Sequence, residues 1–223
     1  MMEAIFLSAG IPDPKRGPEY AATADTVAIA AAVSSLVHVV LGRRRLVWGG
    51  HPAITPIVWA MAEELGVEYG QWVNLYQSNL WEDEFPEDNK RFRNVTYVEA
   101  VGVDVDKSVE AMRQRMLTEH EFSAAVFIGG MKGIVDEYEL FNKLHPDAAV
   151  VPVVSTGGAA IEVGRISAIK DPDLEKDLDY VSLFHRHLDI SVREQRYADP
   201  ALQPDAVEER YWKRHALSAH NEV

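Results

Sequence analysis

Cysteine is absent from this 223-residue chain, which excludes disulfides, thiolate nucleophiles and thiolate zinc sites. Positive charge is scarce. Lysine and arginine total 22 against 35 aspartates and glutamates, for a formal net charge of −13. A surface that acidic repels a nucleic-acid backbone, so neither DNA nor RNA is an expected partner, although local basic groups can still hold a small phosphate. Long hydrophobic runs are also missing. The most apolar stretch, Thr26 to Leu41, is short for a bilayer and is interrupted by Ser34, Ser35 and His38, so no membrane span is expected. The triplet Arg43-Arg44-Arg45 that follows does not change this expectation. Met1-Met2-Glu3 opens without a basic n-region or a cleavable apolar segment, which makes a cytoplasmic location the expectation.

Several motifs are absent as well. No turn reads G-x-G-x-x-G after a strand with an acid at the usual later position, and no G-x-x-x-x-G-K-[ST] loop exists despite Lys132 beside Gly133. Conventional hydride transfer and ATP hydrolysis are therefore disfavoured. No G-x-S-x-G elbow supports a hydrolase triad. His51, His145, His185 and His187 are scattered without metal-ligand spacing, so neither a metal nor a cofactor is expected.

The chain does contain enough apolar residues, 47%, for one sizeable core. Short apolar runs alternate with helix-like ones, the pattern of an α/β fold with a parallel sheet and helices on both faces. The candidate strands are Ala4 to Ser8, Arg45 to Trp48, Gln71 to Tyr76, Asn94 to Val98, Ala124 to Ile128 and Ala149 to Val154. Helical segments are expected at Tyr20 to Leu41, Pro56 to Leu65, Lys107 to Leu117 and Ile134 to Leu144. Thr55-Pro56 suits a cap and first helical position with Gly66 as the stop, and Asp106 suits a cap for the third helix. In that helix Val105, Val109, Met112 and Met116 form a stripe read as core. Asn79 to Arg93 is a long acidic loop carrying Trp81 and Phe85, either a solvated excursion or a lid. Residues 1–168 are read as the main domain. Residues 169–223 are read as a charged helical extension, with a terminal helix around Pro204 to Leu217, packing on the domain or on a partner subunit.

Small-residue turns follow four of these strands: Ser8-Ala9-Gly10, Gly49-Gly50-His51, Gly129-Gly130 and Ser155-Thr156-Gly157-Gly158. In a parallel sheet all four emerge at one edge, where their amides can line a common cleft. The segment Val126 to Glu137 is the most informative. An apolar run enters a Gly-rich turn through Gly129, Gly130, Met131, Lys132 and Gly133, then opens a helix with Glu137 placed in its first turn. The unpaired amides and positive end of such a helix suit an anion. The alternative is an ordinary turn with structural glycines.

The ordered set Phe6-Leu7-Ser8-Ala9-Gly10, Leu46-Val47-Trp48-Gly49-Gly50-His51, Met112-Arg113-Gln114-Arg115 and Phe127 to Glu137 resembles the SLOG superfamily. That superfamily groups Lonely Guy (LOG) phosphoribohydrolases with ligand-sensing domains of bacterial defence systems and TRPM channels. The subtype most similar is the prokaryotic SLOG module of nucleotide-signal conflict systems. The resemblance spans about Ile5 to Gly164 and implies a Rossmann-like sheet. The LOG signature P-G-G-x-G-T-x-x-E, with an upstream M-x-x-R, is matched by Gly129, Gly130, Gly133 and Glu137 and by Met112 and Arg115. Ile128 replaces the proline, Lys132 is an added residue, and Ile134 stands where threonine is expected.

By this resemblance Arg115 and Glu137 are the catalytic candidates. Arg115 would grip a 5′-phosphate or polarise the ribose, and Glu137 would orient water or stabilise an oxocarbenium-like centre. On a helical wheel Arg113 and Arg115 both flank the apolar stripe, so spacing does not choose between them. The ligand-binding set is Ser8, Ala9, Gly10, Gly49, Gly50, His51, Gly129, Gly130, Met131, Lys132, Gly133, Ser155, Thr156 and Gly157. The departures fall inside the catalytic signature. The favoured expectation is therefore a sensor module for a nucleotide-derived signal, ADP-ribose-like or NAD-like. A LOG-like N-glycosidase releasing free base is the alternative, and an assembly protein with a vestigial pocket the third reading. The resemblance also implies a homodimer or larger assembly, and a sensor of this size calls for an effector partner.

Overall fold

A computed structural model describes residues 3–84 and 92–212. Strand β1 (Ala4–Gly10) leads through α1 (Pro18–Ala21) and α2 (Thr26–Val40) to β2 (Arg45–Trp48), then through α3 (Thr55–Leu65) and α4 (Tyr69–Trp72) to β3 (Val73–Ser78). Next come β4 (Asn94–Val98), α5 (Val105–Thr118), β5 (Phe122–Gly129), α6 (Lys132–Leu144) and β6 (Ala149–Val153). Helices α7 (Ala159–Ile166), α8 (Pro172–Lys176) and α9 (Tyr180–His187) follow. The strands form one sheet in the order β4-β3-β2-β1-β5-β6, with every pair parallel. The α/β, Rossmann-like architecture expected from the alternating pattern is the one observed.

The two-residue period of β1 assigns its side chains to two cores. Ile5 and Leu7 face α2, α3 and α9, while Ala4 and Phe6 face α5, α6 and α7. Phe6 stacks on Phe141 at 5.7 Å and meets Phe127 edge-on at 6.2 Å, which ties α6 to the sheet centre. From β1 the chain winds outward to β4, then returns through α5 to add β5 on the other side of β1. Neighbouring connections leave in opposite directions there, so a crevice opens between the carboxyl ends of β1 and β5.

Several element boundaries differ from expectation, each for a tertiary reason. The helix expected over Tyr20 to Leu41 is two helices. Asp25 breaks it by accepting from the Val27 and Ala28 amides as the cap of α2, while its own amide donates to Thr156 O. Ile54 occupies the cap position of α3; Thr55 is already helical and donates its hydroxyl to His51 O. Gly66 does end that helix, at φ +62°. Asp104, two residues before the expected Asp106, caps α5 by accepting from Lys107 N. Residues 69–72 form a helical turn, so the third strand starts at Val73. Helix α6 begins at Lys132, which puts Glu137 in its second turn. Asn79–Glu84 is a 3-10 segment that includes Trp81, while Phe85 lies outside the described residues.

The terminal helix expected over Pro204 to Leu217 is not seen within the described residues. There the chain makes one 3-10 turn, Val207–Arg210, and an antiparallel bridge between Glu194 and Tyr211; residues 213–217 lie outside the description. Pairing with the segment around residue 194 competes with a local helix, since Gln195 N donates to Arg210 O at 2.8 Å and Trp212 N donates to Arg193 O at 2.9 Å. Arg210 donates to Pro204 O at 2.7 Å and Asp205 O at 2.9 Å. Residues 194–212 thus strap the amino edge of the sheet, where fully buried Glu194 receives Arg44 at 2.6 and 3.2 Å and lies 3.6 Å from Arg210. Arg43 donates to Glu194 O at 2.8 Å, and Arg196 donates to Leu41 O and His38 O. Helix α9 packs on α2 in the same core, through Tyr180, Leu183 and Phe184. Among the described residues no helix is long and apolar enough to cross a membrane.

Removing the buried carboxylate strands two buried guanidinium groups. Glu194→Ala is expected to lose roughly 3–5 kcal/mol of unfolding free energy in urea titrations, as for other broken buried ion pairs. Arg115→Ala, which opens only the exposed pair with Glu119, is expected to leave it essentially unchanged.

Candidate functional site

The crevice at the carboxyl edge holds a cavity of about 180 Å³. Its walls are the end of β1 from Leu7 to Ile11, the turn after β2 from Trp48 to His51, the start of α6, and Arg113 from α5. On its floor Ser8 Oγ donates to Glu137 Oε2 at 2.5 Å. Arg113 Nε donates to Glu137 Oε1 at 3.0 Å and Arg113 Nη2 to Gly133 O at 3.0 Å. Ser8 is 2% exposed, and the Arg113 and Glu137 side chains are each 17% exposed, so the ion pair is largely shielded yet reachable from the cavity.

Glycine is required at two of these positions. Gly130 has φ +66°, and a Cβ there would stand 2.0 Å from Ile134 Cδ1. At Gly133 a Cβ would stand 2.7 Å from Arg113 Nη2, so the missing side chain is what admits the guanidinium.

The amides of the glycine turn are used unequally. Gly129 N donates to Thr156 Oγ1 at 2.9 Å and Gly130 N donates to Gly10 O at 2.7 Å, so both serve the fold. The start of α6 carries no side-chain cap, which leaves the first-turn amides at Lys132 and Gly133 without an intrahelical acceptor. The amides without an intrahelical acceptor therefore lie about one turn after the Gly129-Gly130 pair.

His51 completes the rim. Its Nδ1 accepts from Ala53 N at 3.2 Å, which assigns the proton to Nε2, and burial lowers its pKa so that the ring is neutral at pH 7. The Nε2 edge lies beside Gly10, where an added Cβ would come within 3.5 Å. Gln77 fixes the same turn by donating to Gly49 O at 2.6 Å.

Not every residue singled out in the sequence reaches this cavity. Ser8, Ala9, Gly10, Gly49, Gly50, His51, Gly130, Met131, Gly133 and Glu137 line it. Gly129, Ser155, Thr156 and Gly157 stand behind the lining. Thr156 is fully buried and links Gly129 N to Val153 O, and Ser155 lies 3.2 Å from the Tyr180 hydroxyl. Lys132 points away and pairs with Asp136 at 2.7 Å.

Arg115 is a correction. It lies on the exposed side of α5, donating to Glu119 at 2.7 Å, and it does not line the cavity. Arg113, two positions earlier, is the arginine of α5 that lines it. The sequence did carry a signal: Arg113 lies midway between Val109 and Leu117 at four-residue spacing, and Leu117 is buried. Trp48 and Ile134 also line the cavity without having been singled out as binding residues. Among the described residues no three His, Asp or Glu come together as a metal-ligand set.

A family model described as the SLOG cluster3 family matches residues 19–188, most of the chain. The chain belongs to the SLOG cluster3 family. The match runs from α1 to just past α9 and so stops short of the strap. No curated protein matches the chain. In this SLOG chain the residue aligned with the threonine of the LOG signature, Ile134, is buried against Gly130. The carboxylate of that signature, Glu137, is the one that meets Arg113 and Ser8.

Burial lowers the pKa of His38, His51 and His120, assisted at His38 by Arg196 and Arg43 and at His120 by Arg45. The unfolded chain takes up protons near pH ~6.5 that the folded chain refuses. This contribution to stability is complete above that pH and is lost as pH falls through the lowered folded values. Urea midpoints measured from pH 8 downward are expected to decline below about pH 6.5. His51→Gln should flatten part of that decline, and a midpoint that is level through pH 5 contradicts the assignment.

Proposed function

We propose that this SLOG cleft binds the ribose-phosphate part of a nucleotide or nucleotide-derived signal, and that the chain acts as a sensor module. The observation that carries this reading is the Ser8–Glu137–Arg113 network on the floor of a cavity whose rim is an uncapped helix start. A carboxylate offers about four acceptor sites, of which Ser8 and Arg113 occupy one each, leaving room for two sugar hydroxyls. The free first-turn amides of α6 supply donors for a phosphate, and His51 adds a neutral N–H donor. A volume of about 180 Å³, roughly six waters' worth, suits a pentose phosphate rather than a whole nucleotide. The base would lie outside this cavity.

Binding without turnover is favoured by Ile134. An alkyl group, 6% exposed, stands where the LOG signature has a hydroxyl, so one donor to a departing or attacking oxygen is missing. Glu137 is also held at both oxygens by protein groups, which suits an acceptor of fixed orientation more than a group that must move a proton. As a sensor the chain passes its bound state to a second copy of itself or to an effector protein. The N-glycosidase reading rests on the same carboxylate, since Glu137 faces the cavity where an oxocarbenium-like centre would form.

Calorimetry with AMP and ribose 5-phosphate tests the site. Arg113→Ala is expected to weaken binding by about tenfold or more, as for a lost hydrogen bond to a charged group, and Arg115→Ala to leave it unchanged. Incubation with nucleoside monophosphates is expected to release no free base. Release that Glu137→Gln abolishes would establish the glycosidase instead, and failure of both ligands to bind would overturn the site.

A further inference from the structure

A second hollow, of about 300 Å³, opens at the amino edge of the sheet, between the starts of β1, β5 and β6 and the segment that follows α9. The cleft lies at the opposite edge. Arg44 lines the hollow, together with the exposed acids Glu3 and Asp189. We infer that this hollow binds a small zwitterion of the free α-amino acid class, with its carboxylate on Arg44 and its ammonium on Glu3 and Asp189. The inference is independent of what the cleft binds.

The guanidinium of Arg44 is used along one edge of its fork only. Its Nη1 donates to Arg43 O at 2.9 Å and to Glu194 Oε1 at 2.6 Å, and its Nη2 donates to Glu194 Oε2 at 3.2 Å. A guanidinium carries five N–H donors in a fixed plane, so the Nε–H and the second Nη2–H remain. These two lie side by side on the edge that Glu194 does not take, and no acceptor among the described residues meets them. Such an edge fits a second carboxylate bidentately. Charge favours the same occupant. Arg43, Arg44 and Arg210 are buried, and Glu194 is the one acid buried with them among the described residues. In a chain of net charge −13, this edge of the sheet therefore holds an excess of buried positive charge, which a bound carboxylate offsets. Glu3 and Asp189 have no cationic partner among the described residues, and they repel a plain anion. They select a ligand that carries an ammonium beside its carboxylate. Leu188 and Val207 supply an apolar wall for a side chain, and the Tyr211 hydroxyl oxygen adds an acceptor for the ammonium. A volume of about 300 Å³, roughly ten waters' worth, suits a free amino acid.

Thermal unfolding of the full chain with each common L-amino acid, followed by calorimetry of the best stabiliser, reads this directly. At least one amino acid is expected to raise the melting temperature by mass action. It should bind at least about tenfold tighter than its N-acetyl derivative and its amide, which each lack one of the two charges. Glu3→Gln combined with Asp189→Asn, exposed changes with no effect expected on folding, should weaken binding by about tenfold or more. Arg44→Lys removes the open edge and should do the same, and the paired acid substitutions provide the test if that variant unfolds. Arg113→Ala in the cleft should leave amino-acid binding unchanged. Stabilisation by none of the amino acids, equal binding of the N-acetyl derivative, or an affinity unmoved by the paired acid substitutions overturns the inference. Binding of AMP at the cleft is a separate measurement, so the two sites fail independently.

Discussion

The fold turns on the join between the carboxyl ends of two strands that are far apart in the chain. Gly10 pairs in register with Gly129, and Gly130 N donates to Gly10 O at 2.7 Å. This contact closes the seam where the two winding directions of the sheet meet. Thr156 reinforces it from behind by accepting from Gly129 N, and Ala159 N does so by donating to Gly130 O at 3.0 Å. Turns from β1, β5 and β6 are thereby locked to one another before any ligand is considered. The join occupies two glycine amides, whereas those of Lys132 and Gly133 at the start of α6 have no intrahelical acceptor.

Onto this frame the Arg113–Glu137 pair adds the chemistry. Each partner comes from a helix on the same face of the sheet, and Ser8 from the central strand meets the carboxylate at its far oxygen. Each of these shielded groups is the other's counterion, and Ser8 and Gly133 O fill further hydrogen-bond positions around the pair. The opposite edge of the sheet carries a second buried ionic cluster around Glu194, with a different purpose. There the acid is sealed and its arginines mostly bind backbone carbonyls, so the groups fasten the strap.

Much of the architecture could be read from the residues. The six strands fall where apolar runs such as Ala4 to Ser8 and Ala124 to Ile128 predicted them, because buried parallel strands have no alternative use for continuous apolar sequence. The turns after β1, β2 and β5 reach one edge, as strand direction requires. What failed depended on contacts between distant residues. Asp25 splits a helix because its amide is drawn to Thr156 O, and over the described part of the expected terminal helix the chain instead bridges Tyr211 to Glu194 and brings Arg210 to the Glu194 carboxylate. Arg43 and Arg44, to which the sequence alone assigned no role, are recruited by a glutamate about 150 residues later in the chain.

The site divides along the same line. Residue types and order were enough to assign the chain to an α/β fold, to mark the Gly-rich turn before Glu137, and to suggest a SLOG resemblance. These are properties of local pattern, period and strand direction. The choice of Arg113 over Arg115, the use of Gly129 and Gly130 as structural donors, and the meeting of Ser8 with Glu137 required the assembled molecule. Two arginines two positions apart on α5 differ by about 200° around the helix axis, from 3.6 residues per turn, and only the position of α6 says which of them meets Glu137.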